Sequence, residues 1–236
     1  MKKKISKYIS LLLILNSILM CPTSGAAQSR KGREKAKTAV ETPVFQGIRT
    51  SVDIAGLGSY ILGGDILDTG IAIQANLKNK FMPVVEIGFG KTDTRNDDND
   101  MHYKTQAPYF RIGLDYNAFH SKTHLPGFIY AGVRYGFSSF KYDVDGPDMK
   151  DTNYGGNVTV PYSYSGIKSN SQWMEAVAGL SVKVYKGFSM GWDVRFKKSL
   201  SIKEEEKSRP WYIPGYGKNA STCFTIHYNL IYKLPF

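Results

Sequence analysis

Cysteine, histidine and long apolar runs are scarce in this chain of 236 residues. Its two cysteines exclude a disulfide-stapled scaffold and a four-thiolate zinc site. A mean hydropathy of -0.30, with a single apolar run near the N-terminus, excludes a helical membrane bundle. Helical periodicity is missing as well. From residue 46 onward no stretch of about 12 residues keeps i, i+3, i+4, i+7 apolar spacing. Disorder throughout is excluded too, because 42% of the residues are hydrophobic and only 22% charged. The length allows one or two domains.

Two residue types are abundant instead. There are 23 glycines, and the 16 tyrosines outnumber the 12 phenylalanines and 3 tryptophans combined. The net charge of +11 and a pI near 9.4 raise the question of a nucleic-acid partner. Where the charge lies answers it. Lys2, Lys3, Lys4 and Lys7 carry +4 in a stretch laid out as a secretory signal peptide, residues 1–27. An apolar segment from Ile9 to Met20 follows, and Gly25-Ala26-Ala27 offers a cleavage site. An uncleaved anchor and a lipoprotein acylated at Cys21 are the competing readings; Met20 is too large for the position before an acylated cysteine. Residues 28–45 read as a flexible basic linker, whose five cations and two glutamates carry +3. Only +4 remains for residues 46–236, so no nucleic-acid partner is expected.

That last segment alternates with period two, the pattern of a strand with two unlike faces. Val85, Ile87 and Phe89 alternate with Glu86, Gly88 and Gly90. Phe110, Ile112, Leu114 and Tyr116 alternate with Arg111, Gly113 and Asp115, and Val133, Tyr135 and Phe137 with Gly132, Arg134 and Gly136. Further segments centre on Glu175 to Lys183, Asp193 to Lys197, and Phe224 to Phe236, and two weaker ones cover about 47–62 and 65–77. Eight strands result. The polar face carries many glycines among charges of both signs. A solvated face has little use for strand-weakening glycine, but a narrow lumen does, since glycine leaves room for larger side chains. The fold class expected is therefore all-β: an eight-stranded antiparallel transmembrane up-and-down β-barrel with a polar lumen. A soluble periplasmic barrel with its apolar face inward is the alternative.

Connection lengths favour the membrane form. The intervals between segments are about 63–64, 78–80, 92–104, 118–126, 144–171, 186–187 and 202–219. The three longest all fall on one end, as extracellular loops do. Tyr109, Tyr116, Tyr130, Tyr135, Tyr142, Trp173, Tyr185, Trp192, Tyr228 and Tyr232 near segment ends suit interfacial aromatic girdles. Tyr228, Leu230, Tyr232, Leu234 and Phe236 form a terminal strand that looks like a barrel-assembly signal.

Several short motifs carry a family resemblance: Gly113-Leu114-Asp115-Tyr116-Asn117, Gly132-Val133-Arg134-Tyr135-Gly136-Phe137-Ser138, Trp173-x-Glu175-x-x-x-Gly179, Gly191-Trp192-x-x-Arg195 and Leu234-Pro235-Phe236. Residues 46–236 resemble small barrel proteins of unknown function encoded in Bacteroidota genomes. The resemblance implies an outer-membrane barrel of OmpA- and OmpX-like architecture and implies no activity.

The candidate site is a lumen charge network of Arg49, Asp53, Glu86, Arg111, Asp115, Arg134, Glu175, Lys183, Asp193 and Arg195. Its plain reading is a salt-bridged core that plugs the barrel, and its sharper one a narrow ion path. Asp93, Asp97, Asp98 and Asp100 make an acidic outer loop, but without the glycine and distal glutamate of an EF-hand. Gly90-Lys91-Thr92 has Val85 where a phosphate loop needs its first glycine, and no helix is expected to follow. Lipid A hydrolysis needs a histidine near the outer leaflet; only His102 qualifies, with Ser163 or Ser201 as possible partners and no supporting spacing. Cys223 lies on the lumen face. Tyrosines, glycines and serines within 144–171 suit an adhesive surface. The expectation is a non-enzymatic, structural or binding protein of the outer membrane, cofactor-free and metal-free, with a periplasmic N-terminus. Its partners would be outer-membrane lipids including lipopolysaccharide and the barrel-assembly machinery, and it would be a monomer.

Overall fold

The structure, a computed structural model, describes residues 43–235 apart from 98, 123, 152–157 and 204–207. The signal and linker readings, Tyr154 in the long loop and the terminal Phe236 therefore lie outside the described residues.

Eight strands close into one antiparallel barrel. They are β1 (Phe45–Asp53), β2 (Ile66–Leu77), β3 (Phe81–Asn96), β4 (Met101–Asn117), β5 (Gly127–Asp145), β8 (Ser163–Tyr185), β9 (Phe188–Ile202) and β12 (Thr222–Lys233). Each pairs with the barrel strand before it, and β1 pairs with β12 to close the ring. Two small hairpins sit in the connections: β6 (Met149–Asp151) with β7 (Val158–Val160), and β10 (Tyr212–Ile213) with β11 (Gly217–Lys218).

The faces are inverted relative to a soluble barrel. Val85, Ile87, Ile112, Val133, Phe196 and Ile226 point outward and are at least half exposed. Their neighbours Glu86, Arg111, Asp115, Arg134 and Arg195 point inward and are at most 5% exposed. On β3 the apolar wall runs from Phe81 to Phe89, roughly 20 Å high once strand rise and tilt are allowed for, close to the apolar band of a membrane barrel. No helix among the described residues is long and apolar enough to cross a membrane; strands build this wall.

Three features differ from the sequence reading. The strand expected over about 47–62 stops at Asp53, and a short helix α1 (Ala55–Ile61) follows. Gly56 in α1 lies so close to the β2 backbone that a Cβ there would meet the Asp68 carbonyl at 1.9 Å. Two outer connections, β3–β4 and β5–β8, are shorter than expected, because these strands continue as paired ribbons beyond the apolar wall, whereas the β1–β2 connection, 54–65, is longer. Polar residues there keep the same hydrogen-bonded ladder that the apolar segments use.

The girdle needs the third correction. Tyr116, Tyr135, Tyr185 and Tyr232 face outward and are exposed, and Trp192 and Tyr228 are half-buried. Tyr109, Tyr130, Tyr142 and Trp173 instead point inward and are buried. The register explains three of them. Tyr109 lies opposite Gly88, Trp173 opposite Gly136, and Tyr130 opposite Gly179. A Cβ on Gly88 would stand 2.1 Å from the Tyr109 ring, and one on Gly136 would stand 2.2 Å from the Trp173 indole. The ring covers the missing side chain across the strand pair. Lumen glycine thus accommodates aromatics as much as arginine.

Candidate functional site: the lumen and its outer cap

The lumen is filled in layers. The middle one is charged. Among the described residues the buried ionisable groups here are Asp53, Glu86, Asp115, Glu175 and Asp193 against Arg111, Arg134, Arg195 and Lys197, with His227. Each comes from an inward position on a different part of the wall, and neighbouring strands bring them together.

Glu86 is the hub. It is ion-paired with Arg111, with Arg134 at 2.8 Å and with Arg195 at 3.1 Å. Arg111 also lies 2.8 Å from Glu175, and Arg195 bonds Asp193 at 2.6 Å and approaches Glu175 at 3.6 Å. Arg134 reaches Asp115 at 3.4 Å, and Gln74 donates to the same carboxylate at 2.8 Å. Asp53 is paired with His227, whose other ring nitrogen is 3.0 Å from the Thr225 hydroxyl. Alternating charge at these distances offsets the cost of removing each ion from water. Beside this network remains a cavity of about 30 Å³, bounded by Arg49, Asp53, Glu86, Asp115 and Arg134 among others. It is large enough for about one or two waters.

Below the charges, toward the turns at 78–80, 118–126 and 186–187, Met82, Tyr130 and Val177 pack with Phe128. Arg49 lies there, with its guanidinium 4.7 Å from the Phe128 ring and bonded to Gln74. Above the charges, toward the opposite end, Tyr103, Tyr109, Phe140, Tyr142, Ile167 and Trp173 make an aromatic layer.

The aromatic layer is completed by the connection between β9 and β12. Its β10–β11 hairpin enters the barrel, and Tyr212, Ile213 and Tyr216 are at most 2% exposed. Polar groups of the wall receive its backbone. Arg111 donates to the Gly215 carbonyl at 2.6 Å, and Lys197 donates to Gly215 at 2.7 Å and Tyr216 at 3.3 Å. The Tyr103 hydroxyl donates to Tyr212 at 2.8 Å, and the Tyr142 hydroxyl to Ser208 at 2.7 Å. Gly215 is itself required: its φ is +79°, and a Cβ would meet the Tyr109 ring at 2.4 Å. Trp173 ties the two layers together, with its indole against Tyr216 and its N–H donating to Glu175 at 2.7 Å.

Of the residues expected in the lumen network, Asp53, Glu86, Arg111, Asp115, Arg134, Glu175, Asp193 and Arg195 converge in this layer. Arg49 is in the lumen but one layer lower. Lys183 does not join them. It has the inward parity of β8 but sits at the lower rim, exposed and with no carboxylate at ion-pair distance among the described residues. Lys197, whose alternation marked it as inward, takes a cationic place in the layer instead. Sequence reasoning also missed Tyr103, Tyr109, Tyr142 and Trp173 as lumen groups, and the returning hairpin. The signal present for the rings was their parity, which is that of the charges. For the hairpin, the Pro214-Gly215 turn between aromatic residues was the only hint.

Elsewhere, Asp93 of the outer β3–β4 hairpin is bonded to His102 at 2.7 Å and Lys104 at 3.4 Å, and Asp100 to Arg95 at 3.0 Å. Asp98 lies outside the described residues. The His102 bond holds the Asp93 carboxyl below its ordinary pKa. Ser163 donates to Asp145 rather than to the His102 imidazole, which is not the arrangement that activates a hydroxyl nucleophile. Of the terminal-strand residues, Leu230 and Tyr232 face outward, Tyr228 is half-buried, and Leu234 follows β12.

An eight-stranded membrane barrel with a charge-layered lumen is thus the class of protein that the fold and site define. The family described as Domain of unknown function (DUF6048) matches residues 5–236, and the chain belongs to it. No curated protein matches it. Among solved structures it is similar to Neisserial surface protein A (NspA), at 13% identity and a TM-score of 0.46, over 80% of this chain and 99% of that one. It is similar also to a major outer membrane protein from Thermus thermophilus, at 13% identity and a TM-score of 0.46, over 80% of this chain and 100% of that one. The barrel assignment rests on this chain's own strand register and inverted faces.

Proposed function

We propose that this protein is an outer-membrane barrel of OmpA- and OmpX-like kind that works as a closed anchor presenting its outer ribbons and loops, with a structural or binding role. In this reading the N-terminus is periplasmic, the signal peptide directs export, and the β12 end engages the barrel-assembly machinery. The protein stands as a monomer among outer-membrane lipids, lipopolysaccharide included. The observation that carries the reading is the seating of Gly215: two lumen cations hold its carbonyl above a salt-bridged layer, beside which lies a cavity of about 30 Å³. A path for solutes would need both layers open at once. Catalysis is not part of the reading: Ser163 bonds Asp145 rather than the half-buried His102, and Thr225, beside His227 and Asp53, belongs to the lumen wall. Planar-bilayer recording on the folded protein tests it. Silent membranes are expected, and steady ohmic conductance from the wild type would replace the closed anchor with a channel.

A further inference from the structure

Above the apolar wall, the outward faces of β3, β4, β5 and β8 continue as ribbons. One row across them is basic. Lys141 lies directly opposite Lys168 in the β5–β8 pair, and Lys91 lies opposite Gln106 in the β3–β4 pair. Thr105 opposite Tyr142 sets Lys141 beside Gln106, so the four residues form one transverse row. Lys141 and Lys168 are exposed, and none of the three lysines has a carboxylate at ion-pair distance among the described residues. The nearest outward acid on β5, Asp143, instead accepts from the Gly166 N–H at 2.7 Å. Like charges set directly opposite in a sheet are unfavourable, and no carboxylate of the described residues at ion-pair distance offsets this pair.

The height of the row says what does. Phe137 is the last outward apolar residue of β5 and Phe89 the last of β3. Lys141 is four residues beyond Phe137, about 10 Å higher along a tilted strand, and a lysine stem can lie back along apolar surface by several ångströms. The ammonium groups therefore reach the level where headgroups meet the hydrocarbon. A soluble acidic partner would have no reason to meet lysines at that depth, whereas a lipid phosphate is held there. We infer that Lys141, Lys168 and Lys91, with Gln106 between them, form a docking site for the phosphate of an outer-leaflet lipid headgroup. The inference rests on the membrane reading above. It adds a particular site and a particular chemistry to the general expectation of lipid contact.

The test uses the full-length protein folded into phosphatidylcholine vesicles, with and without lipid A bearing two phosphates. Urea unfolding, read by heat-modifiable gel migration, gives the midpoint as a function of lipid A content. Wild type should be stabilised by lipid A. The K141Q/K168Q variant should be at least as stable as wild type in phosphatidylcholine alone, because a repulsive pair is gone. It should need roughly fivefold more lipid A per lysine removed to reach the same shift. Lys122→Gln, in the turn at the opposite end, should respond as wild type. An unchanged lipid A response in K141Q/K168Q overturns the site. So does equal protection by inorganic phosphate in neutral vesicles, which would make it a site for free anions rather than for a lipid. Failure of the wild type to insert into any vesicle sinks the membrane reading itself, and is distinguishable from the other results.

Discussion

The charged layer and the aromatic layer lie next to each other in one lumen, on the same strands, yet they depend on different parts of the chain. The charged layer is built from barrel strands: Glu86 on β3, Arg111 and Asp115 on β4, Arg134 on β5, Glu175 on β8, Asp193 and Arg195 on β9. Once the strands are in register, its partners are in place. The aromatic layer is incomplete until the β9–β12 connection returns into the mouth, because Tyr212, Ile213 and Tyr216 supply part of its packing. The first layer punishes the loss of any one charge. The second can in principle lose its cap and leave the barrel standing. Arg111, Lys197 and Trp173 belong to both, so the cap reports on the charges beneath it.

The largest effect is expected where that comparison is sharpest. Glu86→Gln leaves three buried guanidinium groups sharing too little negative charge, and should cost roughly 3–5 kcal/mol in urea unfolding of the folded barrel. Arg134→Ala, which frees Glu86 and Asp115 less completely, should fall at the lower end of the same range. If Glu86→Gln unfolds like wild type, the charged layer is not what holds the lumen. Next, Lys197→Met should take the lysine donor from the Tyr216 carbonyl and leave Gly215 held by Arg111 alone, costing about 1–3 kcal/mol. It should also make the Lys218-Asn219 bond sensitive to trypsin while the barrel stays heat-modifiable. Cleavage no faster than in wild type would show that the cap does not depend on the charges below it. A smaller loss, about 1 kcal/mol, is expected for Tyr103→Phe, which removes one hydroxyl bond to the cap and leaves the ring packing in place.

The smallest effect lies outside both layers, and sets the scale for a solvent-exposed ion pair. Asp93 has its pKa depressed by the hydrogen bond from His102. Its contribution is therefore present above the carboxylate's unfolded pKa and is lost as pH falls through the lower folded value. Titration by carbonyl NMR should place the Asp93 midpoint below that of an ordinary aspartate, and His102→Ala should bring it back. Because the pair is exposed, overall stability should hardly change. A global shift in the unfolding midpoint over that pH window would contradict this.

Much of the wall was legible beforehand. Alternation at Val85 to Phe89, Phe110 to Tyr116 and Val133 to Phe137 identified strands and also their inward sets, because side-chain period and face are the same fact in a strand. Parity failed at Lys183 for a reason it cannot encode: a residue of the right parity at the rim is wet, and the same residue two turns of pleat further in is buried. The girdle reading failed at Tyr109, Tyr130, Tyr142 and Trp173 because tyrosine and tryptophan suit either a membrane interface or a glycine-matched lumen. The choice between them depends on what stands opposite, such as Gly88 across from Tyr109. The segment after Asp53 was misread because glycines at Gly56 and Gly58 fit a weak strand as well as a tight helical turn against β2.

Residue order by itself determined the class of this protein. Period two with apolar residues on one face and glycine among charges on the other defines a barrel wall with its polar side enclosed, and these are local properties of each segment. The tertiary structure alone decided which charges meet and what closes the mouth. Tyr103 finds Tyr212 and Arg111 finds Gly215 across more than a hundred residues of chain. Such pairs depend on strand tilt, closure of β1 on β12 and the path of one returning hairpin, and no local pattern carries that information.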